Sequence, residues 1–586
     1  MNALAPLPVV LPLAIAALLL ATSRILPPRV PDIVAIVTAL AALIIAGFLA
    51  KAVAGNPIEY WFGGWQPSHG QIIGIGFRID LAGALMAGFI ALLFTLTLVF
   101  AWGYFDEVHA HFHVLMLLFM AGMTGFCLTH DLFNLFVWFE LMSISAFALT
   151  GYQLRSSALE GAINFTVINT LGSYLILGGI GLLYIQIGAL DFSALADDVA
   201  HDPDSPSILA GFSLLSVGLL IKAAQVPFQF WLSDAHAVAL SPVSVIFSGA
   251  MVGLGIFGEA RLMLDVFAGS PFIVTITHSL FLALGTTSIV LGGVMALIQR
   301  HVKRLLAFST IAHTGILLVG LTLLGQQSIE GMLAYLVGHG LVKASLFMVA
   351  GIILATCGGI DELGLRGCGK PIWPAGILMT LAGLMLAGLP VGWMDIGMRA
   401  IVADSVATHR FWLIAVFAFG AATTGGAVLR VAGRIFLGLG PVDSGEEERA
   451  PTAEEREKAD RPFWLMMAPA IVLVALAFCT TSAGEREFAA AAVQFVVPGS
   501  ASVATGMSTP TGDLAVFVSW FPVLLACLIA AFDLGRHRAP KAAVAGVDAM
   551  LRPVLNGAQN LHSGKVGDYA VWLALGLAAF AVAFAL

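Results

Sequence analysis

Long apolar runs recur along almost the whole chain, and they limit its fold more than any other feature. Runs of roughly 18 to 25 apolar residues, each long enough to cross a hydrocarbon core about 30 Å thick, follow one another. Hydrophobic residues make up 59% of the sequence and charged residues 11%, which is unlike a soluble domain. Because backbone groups in lipid need internal partners, helices must do the spanning. The sequence predicts an all-α polytopic membrane protein.

The apolar runs can be counted, and about sixteen of them are long enough to serve as transmembrane helices. The start, MNALAPLP, lacks the basic region of a cleavable signal peptide, so we expect its apolar run to be kept as the first span. The predicted spans lie near residues 7-24, 31-52, 81-102, 112-129, 131-152, 162-187, 208-230, 241-266, 274-297, 305-324, 330-355, 375-400, 411-437, 463-480, 514-532 and 567-586.

Lysine and arginine are concentrated in alternate loops, which predicts an orientation because positive loops stay on the cytoplasmic side. We therefore expect the richer set of loops to face the cytoplasm and both termini to lie outside. The membrane is expected to be the bacterial inner (plasma) membrane. The richer set contains Arg24, Arg29, Arg155, Arg300, Lys303, Arg304, Arg366, Lys370, Arg430, Arg434, Arg536, Arg538 and Lys541.

Several classes of function are excluded by composition. The net charge of -8 is spread over loops, whereas a nucleic-acid partner needs a basic face, so no nucleic acid is expected. The five cysteines form no CxxC pair, and no GxxxxGK[ST] or GxGxxG element is present. His109, His111 and His113 have no matching Cys or carboxylate cluster, which argues against a metal site. We expect neither cofactor nor metal.

Three segments fall outside the predicted spans. Residues 53-79 mix Gly, Pro and aromatic residues with short alternation, which predicts an external hairpin. Residues 441-462 form a dense charge run, which we interpret as a solvated loop. Residues 535-566 predict an amphipathic helix lying along the membrane interface, because apolar residues recur there at helical spacing. These apolar residues are Val544, Val547, Met550, Leu551 and Val554.

Ionisable residues inside the first predicted half are informative, since a charge at the bilayer centre costs at least about 2.5 to 3.5 kcal/mol. Glu140 lies in the middle of one span and Lys222 in the middle of another, so the two are natural partners for loading and releasing a proton. A static ion pair between helices is the alternative. Pro227 removes a backbone donor and predicts a broken helix beside the lysine, unless it makes a mere kink.

The second half carries its own ionisable groups. His339 and Lys343 are four residues apart and share a helix face, where an imidazole can relay a proton toward an amine. His313 extends this relay, or serves only as a hydrogen-bonding residue between helices. Asp395 and Arg399 are also four apart and suit the exit side of a path, with an interfacial ion pair as the alternative.

A weak internal sequence similarity indicates a transporter built from repeats. The segment QVPFQFWLSD, which contains Pro227, is loosely mirrored by GLPVGWMD, which contains Pro390. Both segments interrupt predicted spans in different halves of the chain. Discontinuous helices in corresponding positions are typical of transporters with repeated architecture.

The chain resembles the antiporter-like subunits shared by respiratory complex I and the Mrp-type sodium/proton antiporters. The resemblance is carried by HDLFNLFVWFELMSISAFAL, KAAQVPFQFWLSDAHAVALSPVSVIFSGAMV, VKRLLAFSTIAHTGILL and GHGLVKASLFMVAG, in the family's order. The ending LHSGKVGDYAVWLALG also looks like the last helix of the family's large subunits. The resemblance implies two inverted five-helix repeats, each with a broken helix, and a midplane chain of charged residues.

The resemblance also assigns roles to individual residues. Glu140 and Lys222 match the family's glutamate and lysine, and His339 and Lys343 match its later relay. Two positions depart from the pattern. Gly253 stands where the family often carries a lysine or histidine, and the later broken helix lacks the usual lysine or glutamate in strict register. Asp395 or Arg399 can substitute there, and Glu259 is another replacement for the first loss, unless it forms a structural pair near Arg261.

The function predicted from these observations is proton translocation, with or without sodium exchange, by one membrane subunit of a larger complex. We expect other membrane subunits, the lipid bilayer, H⁺ and Na⁺ as partners, and at most a translocase activity without a redox centre. The rivals are a redox-driven or carbon-uptake complex using the same fold, and a non-conducting scaffold. The predicted regions are 1-110 (N-terminal helices and hairpin), 111-270 and 271-440 (the two repeats), and 441-586 (C-terminal helices with the interfacial helix).

Overall fold

Helices make up most of the computed structural model, which describes residues 2–54, 56–66, 74–105, 108–441, 463–496, 513–538, 553, 557 and 566–585. In chain order the main elements are α1 Leu7–Thr22, α2 Val30–Val53, β1 Ile58–Trp61, β2 Gly76–Ile79, α3 Leu81–Tyr104, α4 Ala110–Leu128, α5 Leu132–Thr150, α6 Ser156–Ile187, α7 Phe192–His201, α8 Pro206–Lys222, α9 Phe230–Val238, α10 Ser241–Ile246, α11 Val252–Arg261, α12 Pro271–Ile298, α13 Val302–Thr322, α14 Gln326–Cys357, α15 Trp373–Leu386, α16 Gly392–Ala407, α17 Trp412–Leu437, α18 Phe463–Phe478, α19 Ser482–Val496, α20 Asp513–Gly535 and α21 Val566–Ala585.

The chain is a polytopic helical membrane protein. Eleven helices among the described residues are long and apolar enough to cross a membrane, or twelve if the bent pair α18 and α19 forms one span. The remaining four predicted spans coincide with shorter apolar helices, so the count of sixteen stays a prediction. These shorter helices are Leu7–Thr22, Pro206–Lys222, Lys370–Leu386 and Ser519–Gly535.

The segments outside the spans are described in part. The predicted hairpin is present as antiparallel strands β1 and β2, with Ile58 opposite Ile79. Two short helices, α7 and α19, were not predicted. The charge run from 442 to 462 lies outside the described residues, and so does the predicted interfacial helix with Val544, Val547, Met550, Leu551 and Val554.

Two spans are interrupted. Helix α8 ends at Lys222, α9 begins at Phe230, and Pro227 lies in the connection. The predicted span 375-400 is divided between α15 and α16, with Pro390 in the connection and Gly392 at φ 83°. Glycine adopts this left-handed conformation without the strain that a side chain brings. Each interruption therefore leaves backbone groups inside the helical bundle that other side chains must satisfy.

The span that follows α9 is continuous but irregular. Helices α10 and α11 are joined by a π-helical segment, Phe247–Met251, and a second one, Leu262–Val266, follows α11. Gly255 lets α11 cross close to the end of α8, because a Cβ atom at this glycine would lie 2.6 Å from the backbone nitrogen of Ala223. The close crossing holds the broken helix against the interior of the bundle.

Ion pairs hold one end of the bundle, called the Asp80 end below. The Arg261 guanidinium donates hydrogen bonds to both carboxylate oxygens of Asp80 and, at 3.1 Å, to Asp265. Arg78 lies 3.3 Å from the Nε2 atom of His130 at the same end. Burial, with a further contribution from Arg78, lowers the pKa of His130 to about 3, so this imidazole is neutral at physiological pH.

The opposite end is held in a similar way. Arg430 and Arg434 contact the Glu362 carboxylate at 3.1 and 2.8 Å. A β-bridge joins His301 to Asp361 there, whereas Asp131 pairs with Asp191 at the Asp80 end. The loops thus gather at two ends, as expected when successive helices run in opposite directions.

Removing the guanidinium of Arg261 should destabilise the fold. Arg261→Gln leaves Asp80 and Asp265 buried without their counter-charge, and breaking a buried pair costs about 3 to 5 kcal/mol. We expect a lower thermal unfolding temperature for the purified protein in detergent. Adding Asp80→Asn should recover part of the loss. A double variant no more stable than Arg261→Gln would rule out charge burial as the cause.

Candidate functional site

The first cluster of the site is formed by α5 and the end of α8. Lys222 is fully buried, donates a hydrogen bond to Ser143 Oγ at 2.7 Å, and lies 4.5 Å from the centroid of the Phe139 ring. Glu140 lies on α5 between Phe139 and Ser143, the two residues of this helix that contact Lys222. One of its carboxylate oxygens, Oε1, is buried without a hydrogen-bond partner among the described residues. Lys222 and Glu140 both belong to this cluster, but they form no direct ion pair in the described structure.

The position of Lys222 follows from the end of α8. Lys222 is the last residue of α8, so its ammonium lies where the helix dipole favours a positive charge. The carbonyls of the last turn are exposed by the break, and Trp231 Nε1 donates to the Ile221 carbonyl at 2.9 Å. The Val226 amide donates to Ser288 Oγ at 3.0 Å. Side chains of neighbouring elements thus replace the lost helical hydrogen bonds.

Polar side chains continue from the break toward α13. Gln225 Nε2 donates to Thr314 Oγ1 at 2.9 Å. One turn earlier on α13, Thr310 is hydrogen-bonded to Ser248 of the first π-helical segment. All four side chains are fully or almost fully buried. The two halves of the chain therefore meet at hydroxyl and amide groups in an otherwise apolar interior.

The second cluster is built on α13 and α14. His313 contacts the Tyr335 hydroxyl at 2.6 Å through Nδ1 and the Thr424 hydroxyl at 3.0 Å through Nε2. The His339 ring stacks on His313 with centroids 5.1 Å apart, and its Nε2 atom has no hydrogen-bond partner among the described residues. His313, which the sequence predicted either as an extension of the relay or as a hydrogen-bonding residue, lies in direct ring contact with His339.

Lys343 lies one helical turn beyond His339 on α14. Its ammonium is fully buried and donates to the Leu306 carbonyl at 2.7 Å and to the Ser309 hydroxyl. The second buried lysine is thus held by a serine, like the first. No described acidic group pairs with it.

Two buried basic residues near this cluster were missed by the sequence reasoning. His236 on α9 is fully buried, stacks on Phe347 at 4.5 Å, and has no hydrogen-bond partner for either ring nitrogen among the described residues. Lys303 was assigned to a loop, yet it is buried and donates to the Ala239 carbonyl at 2.6 Å. The signal for His236 was its place in the segment FWLSDAHAV, just after the broken helix.

Asp395 and Arg399 form an ion pair at 2.9 Å on α16, and Ser519 Oγ donates to the other Asp395 oxygen at 3.3 Å. They line a small cavity with mainly apolar walls, and Tyr335 is also in its wall. Because the Tyr335 hydroxyl contacts His313, the cavity begins next to the second cluster. The pair is less enclosed than the lysines, since the Arg399 side chain is 31% exposed.

The two positions that depart from the family pattern have different surroundings. Gly253 lies against Leu336, and a Cβ atom at this glycine would be 3.3 Å from Leu336 Cγ. Glu259 does not pair with Arg261, whose partners are aspartates. Its Oε1 atom instead accepts a hydrogen bond from Ser216 Oγ at 2.7 Å.

The three histidines near α4 do not converge on a metal site. His113 is buried and lies 3.1 Å from an Asp32 oxygen, whereas His109 and His111 line a surface cleft with Arg24. Within the described ranges, no group of three or more His, Cys, Asp or Glu side chains has the arrangement to hold a metal ion.

With this geometry established, comparison with known proteins identifies the family. The model of the family NADH:quinone oxidoreductase/Mrp antiporter, TM matches residues 129–424, which is just over half of the chain. The chain belongs to this family of membrane antiporter and complex I subunits. The matched residues include Lys222, Lys343 and the broken helices.

Two solved structures show the same fold. One chain of the membrane-bound sulfane sulfur reductase, an archaeal respiratory membrane complex, is 25% identical with a TM-score of 0.74 over 85% of this chain and 98% of that one. A chain of the Mrp complex from a species of Dietzia is 22% identical, with the same TM-score and the same coverage of both chains. The second likeness shows the fold alone.

Removing the Tyr335 hydroxyl should destabilise the second cluster. Tyr335→Phe leaves the buried Nδ1 atom of His313 without its partner, and such a loss costs about 1 to 3 kcal/mol. We expect a lower free energy of unfolding, measured by thermal denaturation in detergent. Tyr184→Phe, at a tyrosine that is 54% exposed, is the matched control and should change little. Equal stability of the two variants would contradict the structural importance of this contact.

Proposed function

We propose that this chain translocates protons, alone or in exchange for sodium, as one membrane subunit of a multisubunit Mrp-type or complex I-like assembly. Glu140 gates the path, Lys222 carries the proton at its centre, and Lys343, His339 and His313 pass it on. Asp395 and Arg399 form the exit. The energy comes from partner subunits or from an ion gradient.

The observation that carries this proposal is the complete burial of Lys222 and Lys343, neither of which has a direct ion pair within the described structure. A fixed structural charge in such a place is expected to be paired, because an unpaired buried ammonium costs several kcal/mol. A lysine that alternates between the ammonium and the neutral amine avoids part of this cost. Proton exchange therefore explains the burial of both side chains.

The order of the path is supported by the contacts between the clusters. His236 lies between the broken helix and the Lys303–Lys343 region, so we add it to the proposed path. From Lys343 the route passes His339, His313 and Tyr335, and it reaches the cavity lined by Asp395. A histidine with both ring nitrogens accessible to proton exchange is suited to relay rather than to storage.

We further propose two inverted five-span repeats, in regions 111-270 and 271-440, flanked by regions 1-110 and 441-586. The repeated order supports this division: α6 and α14 both have 32 residues, and each precedes an interrupted span and a further helix, with the short α7 inserted after α6. Five spans in each repeat invert the second relative to the first, since an odd number of crossings reverses the direction of the chain. Pro227 and Pro390 mark the corresponding interruptions.

Partner subunits are supported by the surface around Glu140. This residue is only partly buried, and on the same side of α5 the hydrophobic residues Phe133, Val137 and Ile144 are exposed. A carboxylate facing lipid near the bilayer centre is costly, so we infer that another membrane subunit covers this surface. Both similar structures are multisubunit membrane complexes by their descriptions.

One observation favours a non-conducting scaffold as the second candidate. At Gly253, where the family often has a lysine or histidine, the apolar side chain of Leu336 takes up the neighbouring space. A path that needed a basic group at this position is interrupted. The scaffold predicts that the buried lysines can be neutralised without loss of transport by the complex.

Replacing Lys222 separates the two candidates. In vesicles that contain the whole native complex, Lys222→Ala should reduce proton and sodium flux by on the order of 100-fold, the size of effect typical when a positioned proton-transfer group is lost. Lys51→Ala, at an exposed lysine of α2, is the control. Assembly is checked by the yield of the intact complex. Unchanged flux with normal assembly would reject the proton carrier and favour the scaffold.

The proposed sixteen spans with both termini outside can be tested with native cysteines. Cys479, in the turn between α18 and α19, is exposed and should lie outside, whereas Cys368, between α14 and α15, should lie inside. In single-cysteine variants, a membrane-impermeant maleimide should label Cys479 in intact cells and Cys368 only in inverted vesicles. The buried Cys127 should stay unlabelled in both. The reverse pattern would overturn the orientation.

A further inference from the structure

Glu259 on α11 is a buried acidic side chain that the proposed function does not use. It is 0% exposed, and its Oε1 atom accepts the hydrogen bond from Ser216. The other oxygen, Oε2, is buried without a hydrogen-bond partner among the described residues. Buried polar atoms are normally satisfied, so this free oxygen needs an explanation beyond packing.

The charge state of Glu259 follows from its neighbours. Ser216 on α8 donates a hydrogen bond to the carboxyl group, and no cationic side chain among the described residues forms an ion pair with it. Arg261 on the same helix is committed to Asp80 and Asp265. A buried carboxylate with no counter-charge is costly, and binding a proton removes the charge. Burial without a counter-charge therefore favours the protonated form of Glu259.

The position of Glu259 relates it to Lys222. Ser216 lies six residues before Lys222 on α8, which is about 9 Å along a helix axis. That direction leads toward α7 and the Asp80 end, since α8 begins there. The Glu259 carboxyl group is consequently displaced from the buried lysine toward the Asp80 end of the bundle.

We propose that Glu259 is a proton-binding group that connects Lys222 with the Asp80 end of the molecule. This inference rests on the proposed function and adds a branch to its path. The carboxylic acid releases its proton through intervening water to the neutral amine of Lys222, which leaves a carboxylate and an ammonium. The Ser216 hydroxyl donates to the carboxylate while it is charged. A proton arriving from the Asp80 end restores the acid.

In this branch, Glu259 also replaces the basic side chain that the family often has at the position of Gly253. Glu259 lies six residues further along the same helical span, about 9 Å toward the Asp80 end. The ionisable group of this span is therefore shifted rather than lost. In this branch, the carboxyl group at the shifted position exchanges a proton with Lys222 from the side of the Asp80 end.

The test compares Glu259→Gln with Lys222→Ala and Ser216→Ala in vesicles containing the whole complex. Glutamine has nearly the same shape and still accepts a hydrogen bond from Ser216, but it cannot release a proton. We expect Glu259→Gln to lower proton flux by about tenfold or more, with a smaller loss for Ser216→Ala. If Lys222→Ala abolishes flux and Glu259→Gln leaves it unchanged, the branch is wrong and the proposed function stands. If Lys222→Ala is also without effect, the proposed function itself fails.

A spectroscopic measurement keeps the proposal testable if transport is lost for structural reasons. Infrared difference spectra of wild type minus Glu259→Gln should contain the carbonyl stretch of a protonated carboxylic acid at neutral pH. Carboxylate bands in its place would overturn the proposal. Carboxylate bands that respond to added sodium at constant pH would also overturn it, because they would make Glu259 a sodium ligand.

Discussion

The interruption between α8 and α9 is the constraint on which the rest of the structure depends. A broken helix inside a membrane leaves peptide groups that lipid cannot satisfy. Here Trp231 and Ser288 supply hydrogen bonds to the peptide groups of Ile221 and Val226. These partners come from α9 and α12, so the break is stable only when the second half of the chain is packed against the first. The same requirement draws Gln225 toward α13 and creates the polar contact between the two halves.

The break also explains why a lysine can be held in the interior. Lys222 ends its helix, where the carbonyl dipoles favour a cation, and a serine hydroxyl accepts one of its hydrogen bonds. Lys343 has no helix end beside it, yet a carbonyl and Ser309 accept from its ammonium. Hydroxyls and carbonyls stabilise the charged form only in part, which leaves the neutral amine accessible. A strong ion pair would fix the charge and prevent exchange.

Much of this fold could be predicted from the sequence, because the thickness of the bilayer sets the length of each apolar run. The same argument selected Glu140, Lys222, His339 and Lys343, since charges in such runs are costly, and their role in transport stays a prediction. Contacts between distant segments could not be predicted. The pairing of Arg261 with Asp80, 181 residues away, depends on how the helices pack. The π-helical segments and the exact division of span 375-400 also depend on tertiary contacts, which apolar periodicity does not record.

The exchange of a basic group at the Gly253 position for the acid Glu259 changes more than the location of a charge. Burial favours the neutral form of any ionisable group, and for a lysine that form has lost its proton, whereas for a glutamic acid it holds one. An amine buried in this helix would rest empty and accept a proton from its neighbour. A carboxylic acid rests loaded and must first donate. With Leu336 beside Gly253 and Ser216 beside Glu259, the proposed first proton step of this span therefore runs toward Lys222 rather than away from it.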